Sequence, residues 1–269
     1  MTIHNPQSAT RNPLRGADDP RIPGAISFWP FSLPALRYAN IRELLDDPDV
    51  AAPRELRQSL RDIRMANVVG QGTAVILRHL PTVIGAWPAG QPLRVLDFAT
   101  GSGDIPRAIV RWARRRGIAC TVLATDISPE VLEETQRFTR AYPEITLMAC
   151  DSRDAPFAPG SFDVVTCSLA LHHLDAPGAV ATLGQMARLA RHGFIVNDVE
   201  RSWPAYLAAV ALVYGITRNR LTRHDGPASV RRAFTRSEIR HMATAAGITG
   251  GCIVQHAFWR IAFVGRRAA

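Results

Sequence analysis

Lysine is absent. All 32 basic residues of the 269-residue chain are arginine, set against 23 acids, for a formal net charge of +9. Without lysine there is no Gly-Lys-Ser/Thr ending for a phosphate-binding loop. An arginine-only basic set favours bidentate contacts to carboxylate or phosphate, and a GC-rich coding bias produces the same composition. The charge also fits nucleic acid or an anionic membrane surface. Apart from Arg114-Arg115-Arg116, Arg231-Arg232 and Arg266-Arg267, however, the arginines are scattered. They are not interleaved with aromatics as a surface for single strands requires.

Cysteine is scarce, with four residues: Cys120, Cys150, Cys167 and Cys252. No CxxC pair and no zinc-ligand spacing occurs, so no metal is expected. Three sit in or beside apolar runs, as small core residues do, and Cys252 opens another. The expectation is a reducing, cytoplasmic setting without disulfides. Long apolar runs are missing as well. No stretch reaches the roughly 18 residues of a membrane span, and the longest candidate runs from Pro204 to Ile216. The opening residues lack an apolar segment, so no secretory signal is expected.

What is present is enough apolar residue, 47%, for a sizeable core. The length suits one α/β domain plus an appendage. Residues 1–35 are polar and rich in proline and read as a loosely ordered arm. Residues 36–90 carry Leu36, Ile41, Leu44 and Leu45, then Leu56, Leu60 and Ile63, at helical spacing; two or three helices are expected there as an N-terminal cap. From residue 91 to 269 the pattern alternates. Short apolar strands at Leu93–Phe98, Thr121–Thr125, Ile145–Ala149, Phe162–Ser168 and Phe194–Val196 are separated by helical stretches. Ser128 is placed to cap one helix, with Pro129 in its first turn. Strands of this kind are buried on both faces of a parallel sheet, and the alternation predicts an open, doubly wound α/β fold. The tail predicts a helix over Ser237–Ala246, with Ser237 and Gly247 at its ends. A tight antiparallel pair, Cys252–His256 and Trp259–Gly265, should close the sheet.

Ligands of such sheets bind at the carboxyl ends of the strands. Three acids stand there: Asp97, Asp126 and Asp151. Between the first strand and its helix lies Ala99-Thr100-Gly101-Ser102-Gly103, where glycine permits close backbone approach and a helix start offers free N–H groups. Position 106 is proline, which departs from the G-x-G-x-x-G/A dinucleotide fingerprint. Asp97 inside the turn would repel a pyrophosphate and suit an ammonium group. Asp126, 23 residues beyond Gly103, has the spacing of an acid that accepts from ribose hydroxyls. Asp151 could accept from an adenine amine.

Val95-Leu96-Asp97-Phe98-Ala99-Thr100-Gly101-Ser102-Gly103 resembles motif I of the class I S-adenosylmethionine-dependent methyltransferases, usually Asp-x-Gly-x-Gly-x-Gly, with Ala99 in place of the first glycine. Thr125-Asp126-Ile127-Ser128 resembles the second motif. Asp151-Ser152-Arg153-Asp154-Ala155-Pro156-Phe157 resembles the third, and Ser161-Phe162-Asp163-Val164-Val165 with Leu171-His172-His173-Leu174 resembles the strand and ending that follow. The resemblance covers residues 93–200. It implies a Rossmann-like seven-stranded sheet with an antiparallel last strand, and S-adenosylmethionine as cofactor. It assigns cofactor contacts to Asp97, Ala99, Thr100, Gly101, Gly103, Asp126, Ile127, Asp151, Ser152 and Ser168.

Methyl transfer from a sulfonium is an in-line displacement, in which the protein supplies alignment. A base is needed only where the acceptor loses a proton. His172 and His173 follow the fourth strand and serve either that role or cofactor packing and capping; His173 is the candidate carried forward. His224-Asp225, read as a polar loop, is what a base with an orienting carboxylate needs, and also what an exposed turn looks like. Both stand in an insert, residues 201–236, expected to act as a lid. With Asn197-Asp198, that insert resembles small-molecule methyltransferases found beside type III polyketide synthases. A phenolic, polyketide or quinone-like acceptor follows, with an acyl tail if the apolar helix after Trp203 is a lid rather than ordinary core. Two alternatives stand beside it: an RNA or protein methyltransferase, suggested by the charge, and a methyltransferase-fold protein that no longer transfers methyl. The charge also admits weak membrane-surface association. Nucleic acid is disfavoured, because Ser168-Leu169-Ala170-Leu171 stands where amino-methylating nucleic-acid enzymes carry Asn/Asp-Pro-Pro-Tyr/Phe.

Overall fold

The computed structural model describes residues 35–39, 41, 43–46 and 53–266. The arm expected over residues 1–35 lies almost wholly outside them. A single 3-10 turn, Leu44–Asp46, is described where the first cap helix was expected. Two full helices follow, α1 (Pro53–Val69) and α2 (Gly72–Ile84). The alternating region then runs β1 (Leu93–Phe98), α3 (Asp104–Arg114), β2 (Cys120–Asp126), α4 (Pro129–Thr139), β3 (Ile145–Ala149), β4 (Phe162–Ser168), α5 (Ala176–Leu189) and β5 (Ala190–Val199). The insert folds as α6 (Trp203–Ile216) and α7 (Arg220–Arg232), and α8 (Arg236–Ala245), β6 (Cys252–His256) and β7 (Arg260–Arg266) complete the chain.

The seven strands stand in the order β3-β2-β1-β4-β5-β7-β6. The first five are parallel, and β7 enters antiparallel between β5 and β6. The Rossmann-like sheet with its antiparallel closing hairpin is therefore the observed architecture. Neighbouring strand residues point to opposite faces, and this divides the core in two. Leu96, Phe98, Phe194 and Val196 pack with α5 and α8 on one face. Val95, Ile195 and Val264 pack with α2 and α3 on the other.

Three elements differ from the sequence reading. β5 extends from Ala190 to Val199 rather than over Phe194–Val196, because it is paired on both sides. Asn197 and Asp198 are thereby carried into the interior, although their polarity marked them as strand-ending residues. The cap of α8 is Thr235, not Ser237. Its side chain accepts from Glu238 N while Glu238 returns to the Thr235 backbone, a reciprocal pair that satisfies two helix-end donors. Residues 220–232, read as a loop around His224-Asp225, form α7. Pro227 lies within that helix, and the proline and the polar run had argued for a turn. Ser128 caps α4 as expected, accepting from Val131 N.

Candidate functional site

The turn between β1 and α3 is built from strained backbone held at several points. Ala99, Gly101 and Gly103 adopt φ of 50°, 51° and 67°. Only glycine takes these values without cost, so Ala99 carries real strain, the kind that clusters at functional sites. Thr100 N donates to Thr125 O at 2.8 Å, and the Thr135 hydroxyl of α4 donates to Gly101 O. A Cβ at Gly103 would stand 2.8 Å from Thr139 Cγ2, so glycine lets α4 pack against the turn. A Cβ at Gly101 would meet nothing within 4 Å: the outer face of the turn is open.

Asp97 does not reach that open face. It is 1% exposed and lies behind the turn, accepting from Thr166 Oγ1 at 2.6 Å. Burial pushes its carboxyl up to about 7, against the pull of the Thr166 hydroxyl. The Thr166 hydroxyl is thus its close partner within the protein. Asp126 is placed differently. Its Oδ2 accepts from Gly101 N at 3.1 Å and its Oδ1 from Ser128 N at 3.2 Å, so one carboxylate ties the tip of β2 to the turn. Burial raises its affinity for a proton, opposed by those backbone donors. Next to it Ile127 is 64% exposed, a large apolar side chain at the strand edge.

Asp151 at the end of β3 pairs with Arg153, whose Nη2 lies 2.6 Å from Oδ2, and that pairing holds its carboxyl below the usual range. It would have to leave this arginine to accept from an adenine amine. Ser152, beside it, shares a hydrogen bond with Thr182 at 3.0 Å. Ser168, at the end of β4, accepts from Asn197 Nδ2 at 2.8 Å.

Past β4 the chain enters a second strained residue, Leu169 with φ of 55°, and then a 3-10 turn, Leu171–His173. His172 is buried, and its Nδ1 lies 2.7 Å from Asp198 Oδ1 on β5. The ring of His173 is tilted 33° to it with centroids 4.4 Å apart. Facing both is Glu43, buried, from the segment before α1: 4.0 Å from His172 Nε2 and 3.7 Å from His173 Nδ1. These groups form the polar end of a cavity of about 230 Å3. Its walls are the apolar α6 and residues of α1 and α7, among them the polar Ser59, Asp62, Thr222 and Ser229, together with Leu169, Val199, the Phe258-Trp259 turn and Arg260.

The sequence reading found His172 and His173 but missed Glu43, Asp198 and Arg232 as parts of this end. Nothing around Glu43 marks it, since its partners are about 130 residues away along the chain. His224 and Asp225 are paired as a base with an orienting carboxylate requires, Nδ1 to Oδ1 at 2.8 Å, though Asp225 has other partners as well. Asp225 spends its oxygens on Leu44 N and Leu45 N at 2.8 and 3.0 Å, capping the 3-10 turn. His224, 2.8 Å from Asp225 Oδ1, is not among the residues lining the cavity.

A family model described as a methyltransferase domain matches residues 95–193. The chain carries a methyltransferase domain of the class I S-adenosylmethionine-dependent fold. A demethylmenaquinone methyltransferase of Beutenbergia cavernae is 34% identical over 45% of this chain and 46% of its own length. The chain thus spans under half the length of the curated relatives it matches. A SAM-dependent methyltransferase from Aquifex aeolicus superposes on 80% of this chain and 98% of its own, with TM-score 0.55 and 15% identity. An O-methyltransferase family 2 protein from Planctomyces limnophilus, solved with apigenin, covers 82% of this chain and 63% of its own, with TM-score 0.57 and 18% identity.

S-adenosylmethionine is the cofactor of this domain, and the residues present fit it. The open face over Gly101 leaves room for close backbone approach. Asp126 beside it would accept from a ribose hydroxyl, and the bare side chain of Ile127 would offer an apolar face to a purine ring. Gly103, Thr100 and Ala99 shape the turn behind them, with Ser152 and Ser168 on the flanking strand ends. The chemistry the cofactor supplies is a methyl group on a sulfonium; the domain's own residues bind and orient it.

Proposed function

We propose that the protein transfers a methyl group from S-adenosylmethionine to a small-molecule acceptor bound in the cavity beneath α6. The observation that carries this reading is the cavity itself. It lies past the carboxyl ends of β4 and β5, is lined mostly by apolar side chains, and includes Glu43, His172 and His173. A nucleic acid or a protein segment needs an extended polar groove, whereas a cavity of about 230 Å3 suits a ring system. The polar end takes an ionisable oxygen of a phenol, a hydroquinone or an enolised polyketide. Val69, Ile216 and Phe258 line the cavity while remaining 45%, 45% and 50% exposed, so its mouth is apolar too. That rim fits an acceptor with an alkyl or acyl tail. The relatives that act on a demethylmenaquinone or were solved with apigenin support the same class.

Bound S-adenosylmethionine would supply the methyl group to the acceptor oxygen, or to the carbon conjugated to it, as the S–CH3 bond breaks and S-adenosylhomocysteine leaves; the acceptor's proton would pass to the Glu43, His172 and His173 end. Proximity and exclusion of water carry most of the work. The test is incubation of the purified protein with S-adenosylmethionine bearing a labelled methyl group and a lipid-rich and an aqueous cell extract, followed by mass spectrometry. A labelled small molecule, more abundant in the organic phase, is the expected outcome. Label found in RNA or protein and in no small molecule overturns the reading.

A further inference from the structure

The polar end of the cavity holds a mismatch. Glu43 is 2% exposed, and its Oε1 has no hydrogen-bond partner among the described residues. The nearest nitrogen facing it is Nε2 of His172, 4.0 Å away. Asp198 also accepts from the backbone N–H groups of His172 and Val199, so it acts as an acceptor toward Nδ1 of His172. A ring that donates from Nδ1 and carries no second proton presents a lone pair at Nε2. In that state two acceptors face each other in a largely buried setting. His173 Nδ1 stands beside the other oxygen of Glu43, and the three ligand atoms lie within 4.8 Å of one another. A positive charge between them removes the mismatch.

We propose that Glu43, His172 and His173 bind a divalent first-row transition ion of the Zn2+ or Co2+ type. Two imidazoles and one carboxylate suit such ions; Mg2+ and Ca2+ take oxygen shells. Three protein ligands of this composition leave a position open for water or a ligand oxygen. The supporting shell is in place. Asp198 on the far nitrogen of His172 fixes the ring and its tautomer, as carboxylates behind metal-bound histidines do. Arg232, buried on α7, donates to the carbonyls of His172, His173 and Ile41. Asp225, on the same helix, holds Leu44 N and Leu45 N, next to Glu43. One helix thus fixes both ligand-bearing segments. The open position faces the cavity and takes the acceptor's phenolate or enolate oxygen; that last assignment rests on the methyl-transfer reading, whereas the ion site does not.

The test uses the full chain, stripped with a chelator, in a His79→Ala background. That change removes a second nitrogen pair, His79 Nε2 and His256 Nε2, 2.8 Å apart. Co2+ is titrated and followed by its visible ligand-field bands, with Zn2+ measured by calorimetry and by the shift in melting temperature. Saturation at a single equivalent, without a thiolate charge-transfer band, is expected. Glu43→Gln should weaken Co2+ by about 100-fold and Asp198→Asn by about 10-fold. If Glu43→Gln does not fold, His173→Gln is expected to show the same loss. The proposal is overturned if the chain with intact ligands takes up neither ion, or if a folded ligand variant keeps its affinity; a shared proton then fills the gap. S-adenosylmethionine affinity, measured on the same metal-free samples, separates the two readings. Its absence alongside intact Co2+ binding would defeat the methyl-transfer reading and leave the ion site standing.

Discussion

The carboxyl edge of the sheet is furnished in two ways. Along β1, β2 and β3 every functional group lies within a few residues of a strand end, and the turn at 97–103 is shaped by its own glycines. Along β4 and β5 the groups come from distant parts of the chain: Glu43 from before α1, the histidines from after β4, Asp198 from β5, and the walls from α1, α6 and α7. The first region would hold a cofactor of fixed shape, for which a short local motif suffices. The second surrounds a pocket set by helix packing. Its groups are held by cross-chain bonds from Asp225 and Arg232, whose loss would separate them.

The largest expected effect tests how deeply the cofactor region is tied into the core. Asp97 has a folded-state pKa near 7 against an ordinary value of 3.8. Below pH 3.8 both states carry the proton. Between 3.8 and about 7 the unfolded chain ionises and the folded one does not, so stability falls as pH rises and levels off above 7. The full loss is about 4 kcal/mol, at about 1.4 kcal/mol per pH unit. Asp97→Asn should flatten the urea-denaturation profile over that window; an unchanged slope would place the titration elsewhere.

The next effect should fall on the acceptor region alone. Arg232→Met removes the donor to one buried and two part-buried carbonyls and should cost about 3 kcal/mol in denaturant unfolding. Because its contacts are remote from the turn, S-adenosylmethionine affinity should change by less than about twofold. A tenfold loss would show that the two regions are one unit. The converse change is Asp126→Ala, which removes the ribose acceptor and the tie to Gly101. It should weaken S-adenosylmethionine by about 100-fold in calorimetry, since hydrogen bonds to a charged group contribute about 1.5–3 kcal/mol, while leaving Co2+ uptake at the acceptor end unaltered. The smallest effect is expected at His224. His224→Ala should move stability by less than about 0.5 kcal/mol and leave turnover within about twofold. A large fall in turnover, with cofactor affinity spared, would restore the base role that its neighbour Asp225 suggests in the sequence.

Legibility in the sequence follows the same division. The strands, their order of use and the cofactor acids were readable, because a parallel strand is a short apolar run and the acids directly follow it. Asp97 shows the limit. Its position was legible, but its burial behind the turn was not, because Thr166 meets it only when β4 pairs with β1. Residues 220–232 were misread because proline and a polar run argue for a turn. Packing against α1 and α6 made a helix of them instead, with Asp62 on α1 accepting from Thr217 and Thr222.

Local sequence, then, determined the sheet and the cofactor turn. Hydrophobic periodicity, glycine freedom and strand-end acids act over ten residues or fewer, and no distant contact was needed to state them. Tertiary structure alone decided what faces the cavity. Glu43 and His172 meet across 129 positions of the chain, and no spacing rule encodes such a meeting. It exists because α7 caps one segment with Asp225 and clamps the other with Arg232, which fixes a buried carboxylate against two imidazoles.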